Sequence, residues 1–126
     1  MGKPLGAKPR KRILRRLAAE AYRRELEQAL AKLEKHFAAW RSGEIDAFKL
    51  EQRIHEFHNG IARDLWKRYE QLNPNLSLPR AVAVGVLVRE EVPSELLAQW
   101  DTLIEDYQRE AGAASAGSEG AGEGAC

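Results

Sequence analysis

A small all-α bundle of about four helices is the fold this sequence predicts, and three observations predict it. Apolar residues recur at steps of three and four along most of the chain from Arg10 to Tyr107, which is how one face of a helix reads at 3.6 residues per turn. The one strand candidate, the β-branched run from Ala81 to Val88, has no second run to pair with, and a lone strand leaves its backbone groups unsatisfied. The chain has 126 residues, of which 44% are hydrophobic and 31% charged, enough for one core of modest size. The expected organisation is a flexible basic arm over residues 1–9, a single helical domain over 10–110 and a disordered Ala/Gly/Ser/Glu tail over 111–126.

The first helix opens at Arg10 and is long. Ile13, Leu14, Leu17, Ala21, Tyr22, Leu26, Ala29, Leu30, Leu33, Phe37 and Trp40 keep the helical step. From Leu26 to Trp40 the spacing alternates four and three, as in a coiled-coil seam. Arg41-Ser42-Gly43 closes it, with Gly43 suited to the left-handed residue after the last turn. A second helix is predicted from Asp46 to Leu72, with Ala47, Leu50, Ile54, Phe57, Ile61 and Leu65 on one stripe. Beside it runs a neighbouring stripe of Phe48, Glu51, His55, His58, Ala62, Trp66 and Tyr69. Two occupied stripes predict the most buried helix of the fold. Asn59-Gly60 interrupts neither stripe, so one helix with a soft point is expected there. The face Leu30, Leu33, Phe37 and Trp40 is expected to pack on Leu50, Ile54, Phe57 and Ile61, because a short connection makes neighbouring helices antiparallel. Residues 73–79 read as a turn-rich connection, 81–88 as a short buried helix starting near Ser77 or Pro79, and Ser94 as the N-cap of a last helix. That last helix presents Leu96, Leu97, Trp100, Leu103, Ile104 and Tyr107 on one face.

The formal net charge of +1 conceals a dipole. Residues 1–24 carry nine basic side chains against Glu20 alone, a net of +8, and from Arg89 onward two basic residues face nine acids, a net of −7. The basic cluster Lys8, Arg10, Lys11, Arg12, Arg15 and Arg16 is the strongest functional feature, a docking surface for nucleic acid or a protein partner. No aromatic residue precedes Tyr22, so stacking on single-stranded bases is not expected from it, and any nucleic-acid contact would be to phosphates. Ile13, Leu14 and Leu17 are committed to the bundle, which disfavours a membrane-surface helix. No stretch approaches the ~20 apolar residues of a membrane span.

Chemistry-bearing constellations are few. Glu51, His55 and His58 fall at i, i+4 and i+7 on one helical stripe, a carboxylate and two imidazoles of the kind that ligate zinc or non-haem iron. The spacing is neither His-Glu-x-x-His nor the Glu-x-x-His of di-iron bundles. The alternative reading has His55 and His58 edging the core and bonding to the first helix near Glu34 or His36. Cys126 is the single cysteine, which excludes an internal disulfide and a cysteine-ligated zinc. With no apolar segment after the basic start, it predicts a cytoplasmic setting. The serines lie at turns, caps or tail without a nucleophile elbow, and no glycine-rich phosphate loop precedes a helix. No catalytic residue, cofactor or small-molecule substrate is expected. The sequence points to a small non-enzymatic interaction or regulatory module, self-association included. A nucleic-acid accessory protein is the first alternative and a metal or small-ligand bundle the second. Thirteen Arg against seven Lys, with many Ala, point to a bacterial source.

Overall fold

Helix α1 (Ala7–Arg41) is the longest element of the computed structural model, which describes residues 4–118. At 1.5 Å per residue its 35 residues span about 52 Å. It starts three residues before the expected point, so Lys8 and Pro9 lie in its first turn rather than in an arm. Proline is tolerated there because first-turn N–H groups have no helical partner. The other end behaves as predicted. The Gly43 N–H bonds to the Trp40 carbonyl at 3.1 Å and the Glu44 N–H to Ala39 at 2.8 Å, with Gly43 at φ 84°. This is the paired capping geometry that only a residue free to adopt positive φ closes cheaply.

Helix α2 spans residues 47–71 and begins at Asp46, whose carboxylate accepts from the Lys49 N–H at 2.8 Å. It is one helix with two π turns, His58–Ala62 and Lys67–Gln71. Their cause is legible in the spacing of Phe57, Ile61, Leu65 and Tyr69, which are four residues apart each time. A step of four overshoots a full turn by about 40°, so three such steps would carry Tyr69 about 120° off line. Turns bonded i to i+5 widen the spiral where that drift builds up, and Leu65 and Tyr69 return to the core. Gly60, the expected soft point, sits in the first of them.

Helix α3 (Pro74–Ala83) begins inside the segment expected to be a connection. Asn73 caps it, accepting from the Asn75 N–H at 2.8 Å, and Pro74 takes the first helical position. The expected helix over 81–88 is corrected: only Ala81 to Ala83 are helical. Gly85 at φ 85° ends α3 with the same cap that ends α1, its N–H bonding to Val82 at 3.2 Å and that of Val86 to Ala81 at 2.8 Å. The rest of the apolar run folds back as a loop that buries Leu87. A short 3-10 turn, Arg89–Glu91, leads to α4 (Ser94–Ser118). Ser94 is the first helical residue, not the cap, since the Pro93 carbonyl accepts the first N–H groups. Helix α4 runs on through residues 111–118, where a tail was expected, and residues 1–3 and 119–126 lie outside the described part.

Helix α3 packs between α1 and α4 and touches the last turn of α2. The core is Leu14, Leu17 and Ala21 of α1, Leu65 and Tyr69 of α2, Leu78, Ala81 and Val82 of α3, and Leu96, Trp100 and Ile104 of α4, with Leu87 and Val92 from the loop. Trp100 donates its indole N–H to Asn75 at 3.1 Å, satisfying its one polar atom. The loop is held to α1 by Arg24, which forms two bonds to Glu91 (2.7 and 2.9 Å) and one to the Val86 carbonyl (2.9 Å). Helix α2 is not the most buried element. Apart from Tyr69, its second stripe is largely turned to solvent, with Phe48 82% and Trp66 47% exposed, and α3 takes the central place because it has neighbours on two sides.

Candidate functional site

The core-facing stripe of α1 changes character along its length. Leu14, Leu17 and Ala21 are buried, and the same helical line continues as Glu25, Gln28, Lys32 and His36. Where the line turns polar the α3 layer has ended, and between α1 and α2 a cleft of about 520 Å³ opens. Ala29, Leu33, Phe57, Ile61 and Leu65 give it apolar lining. Gln28, Lys32 and His36 line it from α1, and Arg53 and Glu56 from α2. Arg53 bonds to Glu56 at 2.9 Å and holds its carboxyl below the ordinary carboxylate value of 4.5. Among the described residues Lys32 and His36 take part in no ion pair.

The inner end of the cleft is closed by a charged cluster centred on Glu25, whose side chain is only 13% exposed. It accepts the Tyr69 hydroxyl and lies 3.3 Å from Arg68 and 3.4 Å from Arg80, so α1, α2 and α3 meet on one carboxylate. Burial, and then the bond to Glu25, push the Tyr69 hydroxyl well above its ordinary value of 10.0 and keep it a donor. Tyr22 stacks on Tyr69 at 5.5 Å between ring centres. Glu25 thereby ties α1, α2 and α3 together.

The predicted contact between the two helical faces is half right. Leu33, Phe57 and Ile61 line the cleft together and Leu50 is buried, but Leu30 and Trp40 remain 45% and 43% exposed. Ile54 is also exposed. Among the described residues no third helix packs on this outer part of the hairpin, which is why a seam that reads as core is half in water.

The basic cluster occupies the first turns of α1. Lys8, Lys11, Arg12, Arg15 and Arg16 are all exposed and fall at steps of three and four, forming one ridge on the side of the helix away from Leu14, Leu17 and Ala21. Arg10 is separate from them: it is half-buried and donates to Gln99 of α4. The Leu5 N–H bonds to Glu95 at 2.8 Å. The acidic residues of α4 otherwise leave the ridge alone.

Glu51 and His55 lie 3.6 Å apart on the solvent face of α2, both more than two-thirds exposed, and His58 is exposed in the first π turn. The expected bonds from His55 and His58 to α1 are not formed, because both imidazoles lie on the exposed part of the stripe, before it turns inward at Tyr69. Among the described residues no three His, Cys, Asp or Glu side chains converge as a metal site. Among those residues, too, no helix is long and apolar enough to cross a membrane. The cleft residues Lys32, His36, Arg53 and Glu56 were not singled out from the sequence. The change from Ala21 to Glu25 along a core-facing line was the signal that could have found them. Comparison of the chain with protein-family models, curated proteins and solved structures gave no match.

Proposed function

We propose that this protein is a small non-enzymatic interaction module, and that the α1–α2 cleft receives an amphipathic helix of a protein partner. One observation carries the reading: α3 packs against α1 and the end of α2, and beyond the Glu25 cluster the space between those two helices stays open over an apolar floor. A helix already fills the neighbouring part of the molecule, so a helix is the occupant whose shape suits the remainder, seating an apolar stripe on Leu33, Phe57 and Ile61. Its flanking side chains should be acidic where they meet the unpaired Lys32 and His36. A single cysteine and the Arg-rich composition support a cytoplasmic, bacterial setting for this module. Neither cofactor nor metal enters the reading.

The test is a photo-crosslinking amino acid at position 61, whose native side chain is 43% exposed. Adducts should form with one polypeptide, at a segment with helical apolar periodicity and flanking acids. Lys32→Glu should weaken capture by about tenfold, about 1.4 kcal/mol. Capture unaffected by Lys32→Glu and by Leu33→Glu would remove the cleft from the proposal.

A further inference from the structure

We propose that the ridge of Lys8, Lys11, Arg12, Arg15 and Arg16 is a second, independent binding surface, one that takes the phosphate backbone of duplex nucleic acid. The inference begins with how α1 distributes its ion pairs. Glu20 pairs with Arg23 and, at 2.7 Å, with Arg24; Glu27 pairs with Arg23 at 2.8 Å, and Glu91 with Arg24 at 2.7 Å. Arg23 and Arg24 are thus neutralised within the chain. Among the described residues none of the five ridge cations lies in an ion pair. Glu70 lines a depression of about 710 Å³ with Lys11 and Arg15, yet it forms an ion pair with neither.

This arrangement works against the helix that carries it. Like charges at i, i+3 and i+4 repel. The first turn of α1 contains no acid, so cations crowd the end where the helix dipole already favours negative charge. An external polyanion relieves both penalties at once. Nine residues of helix, from Lys8 to Arg16, extend about 12 Å, and a DNA strand presents one phosphate per ~3.4 Å of axis, so several phosphates come within reach.

The surroundings select among polyanions. The ridge has no apolar partner stripe of its own, since Leu14 and Leu17 are buried and Ile13 packs against the core, so it cannot insert into a lipid surface as an amphipathic helix does. It also lacks the buried aromatic or aliphatic anchor around which a protein interface forms. No aromatic residue stands among the five cations for unpaired bases to stack on, which favours duplex over single strand. The acidic helix α4 reaches this end of α1 through Gln99 and Glu95, to Arg10 and the Leu5 N–H, and leaves the ridge uncovered.

The experiment measures binding of a random-sequence DNA duplex of about thirty base pairs by fluorescence anisotropy over a series of salt concentrations. Log affinity should fall linearly with log salt, with a slope of about −0.9 for each phosphate engaged and no steeper than about −4.5 for five. Replacing all five cations with glutamine should abolish binding while the helical circular dichroism is unchanged. If that variant does not fold, Arg12→Gln, Arg15→Gln and Arg16→Gln together should flatten the slope by up to about 2.7. A control that removes Lys35, Arg41, Arg63, Lys67 and Arg89 loses the same charge elsewhere and should keep the affinity. Leu33→Glu should also keep it, which separates this surface from the cleft. Absence of duplex binding at about 50 mM salt, equal loss in the ridge and control variants, or ridge-dependent binding of phosphatidylserine vesicles in place of DNA would each overturn the proposal.

Discussion

Leu65 and Phe48 sit on the same helix and show why hydrophobicity alone does not rank residues. Leu65 is 1% exposed and touches the core that α1 and α3 complete, whereas Phe48 is on the solvent side of α2. Leu65→Ala should therefore cost about 2 to 5 kcal/mol in urea unfolding, the range for a large-to-small change that leaves a cavity. Phe48→Ala should stay within about 0.5 kcal/mol, as surface substitutions do. The sequence placed both residues on apolar stripes, and nothing in their local spacing separates them. What separates them is the number of neighbours α2 has, which depends on where α3 packs. Glu51, His55 and His58 show the same dependence: they share a stripe as spacing predicts, but their part of it faces water instead of the first helix.

At the level of elements, the two glycine-closed caps were unequally visible. Gly43 follows a charged last turn and reads as a stop, while Gly85 is enclosed by Val and Leu, so its apolar neighbours drew the reading toward a continuous helix. The backbone settles the matter at both sites in the same way, with positive φ and paired carbonyls. Gly60 is a different case, since its φ is not positive and there is open space where a Cβ would go. Thermal or urea unfolding should show opposite signs for the two alanine variants. Gly60→Ala should stabilise by about 0.4 to 1 kcal/mol through the unfolded chain, and Gly85→Ala should destabilise by about 1 to 2 kcal/mol through left-handed strain. Destabilisation of both variants would mean that the π turn at Gly60 needs the glycine. The long first helix, the single hairpin and the apolar face of α4 were all readable from period alone. The π turns accompany the run of four-residue steps from Phe57 to Tyr69, a signal that apolar period alone does not separate from an ordinary helix. The cleft was not readable, because a cleft is the place where an element stops, and α3 starts and ends at signals that were assigned to a connection and a helix.

Across the molecule, the ion pairs give stability a defined acid limit. Glu20, Glu56 and Glu91 all titrate below the ordinary carboxylate value of 4.5, in each case first because of a bonded arginine. A carboxyl whose folded pKa is depressed contributes stability that is fully present above its unfolded pKa and is lost as pH falls through the folded one. The urea midpoint should accordingly be flat from neutral pH to about pH 5 and then fall. Arg24→Met should make that fall shallower, because the first cause of the Glu91 shift and one cause of the Glu20 shift disappear together. Added salt should reduce the effect, since these groups are partly open to solvent. An acid limb unchanged in the Arg24 variant would show that the pair to Glu91 is not formed in solution.

Helix α1 joins the ridge and the cleft without a break, and that continuity has a mechanical consequence. Lys11 and Lys32 stand on one uninterrupted helix, 21 residues and so about 32 Å apart along its axis, with no glycine or proline between them. A flexible tether would let two bound macromolecules search for each other through a range of distances; a stiff strut fixes both their separation and their rotation about its axis. Lengthening α1 by one residue between Glu25 and Leu33 would swing one cargo about 100° around the other while moving it only about 1.5 Å. If both proposed surfaces are occupied, the chain would serve as a molecular ruler whose setting is angular more than linear.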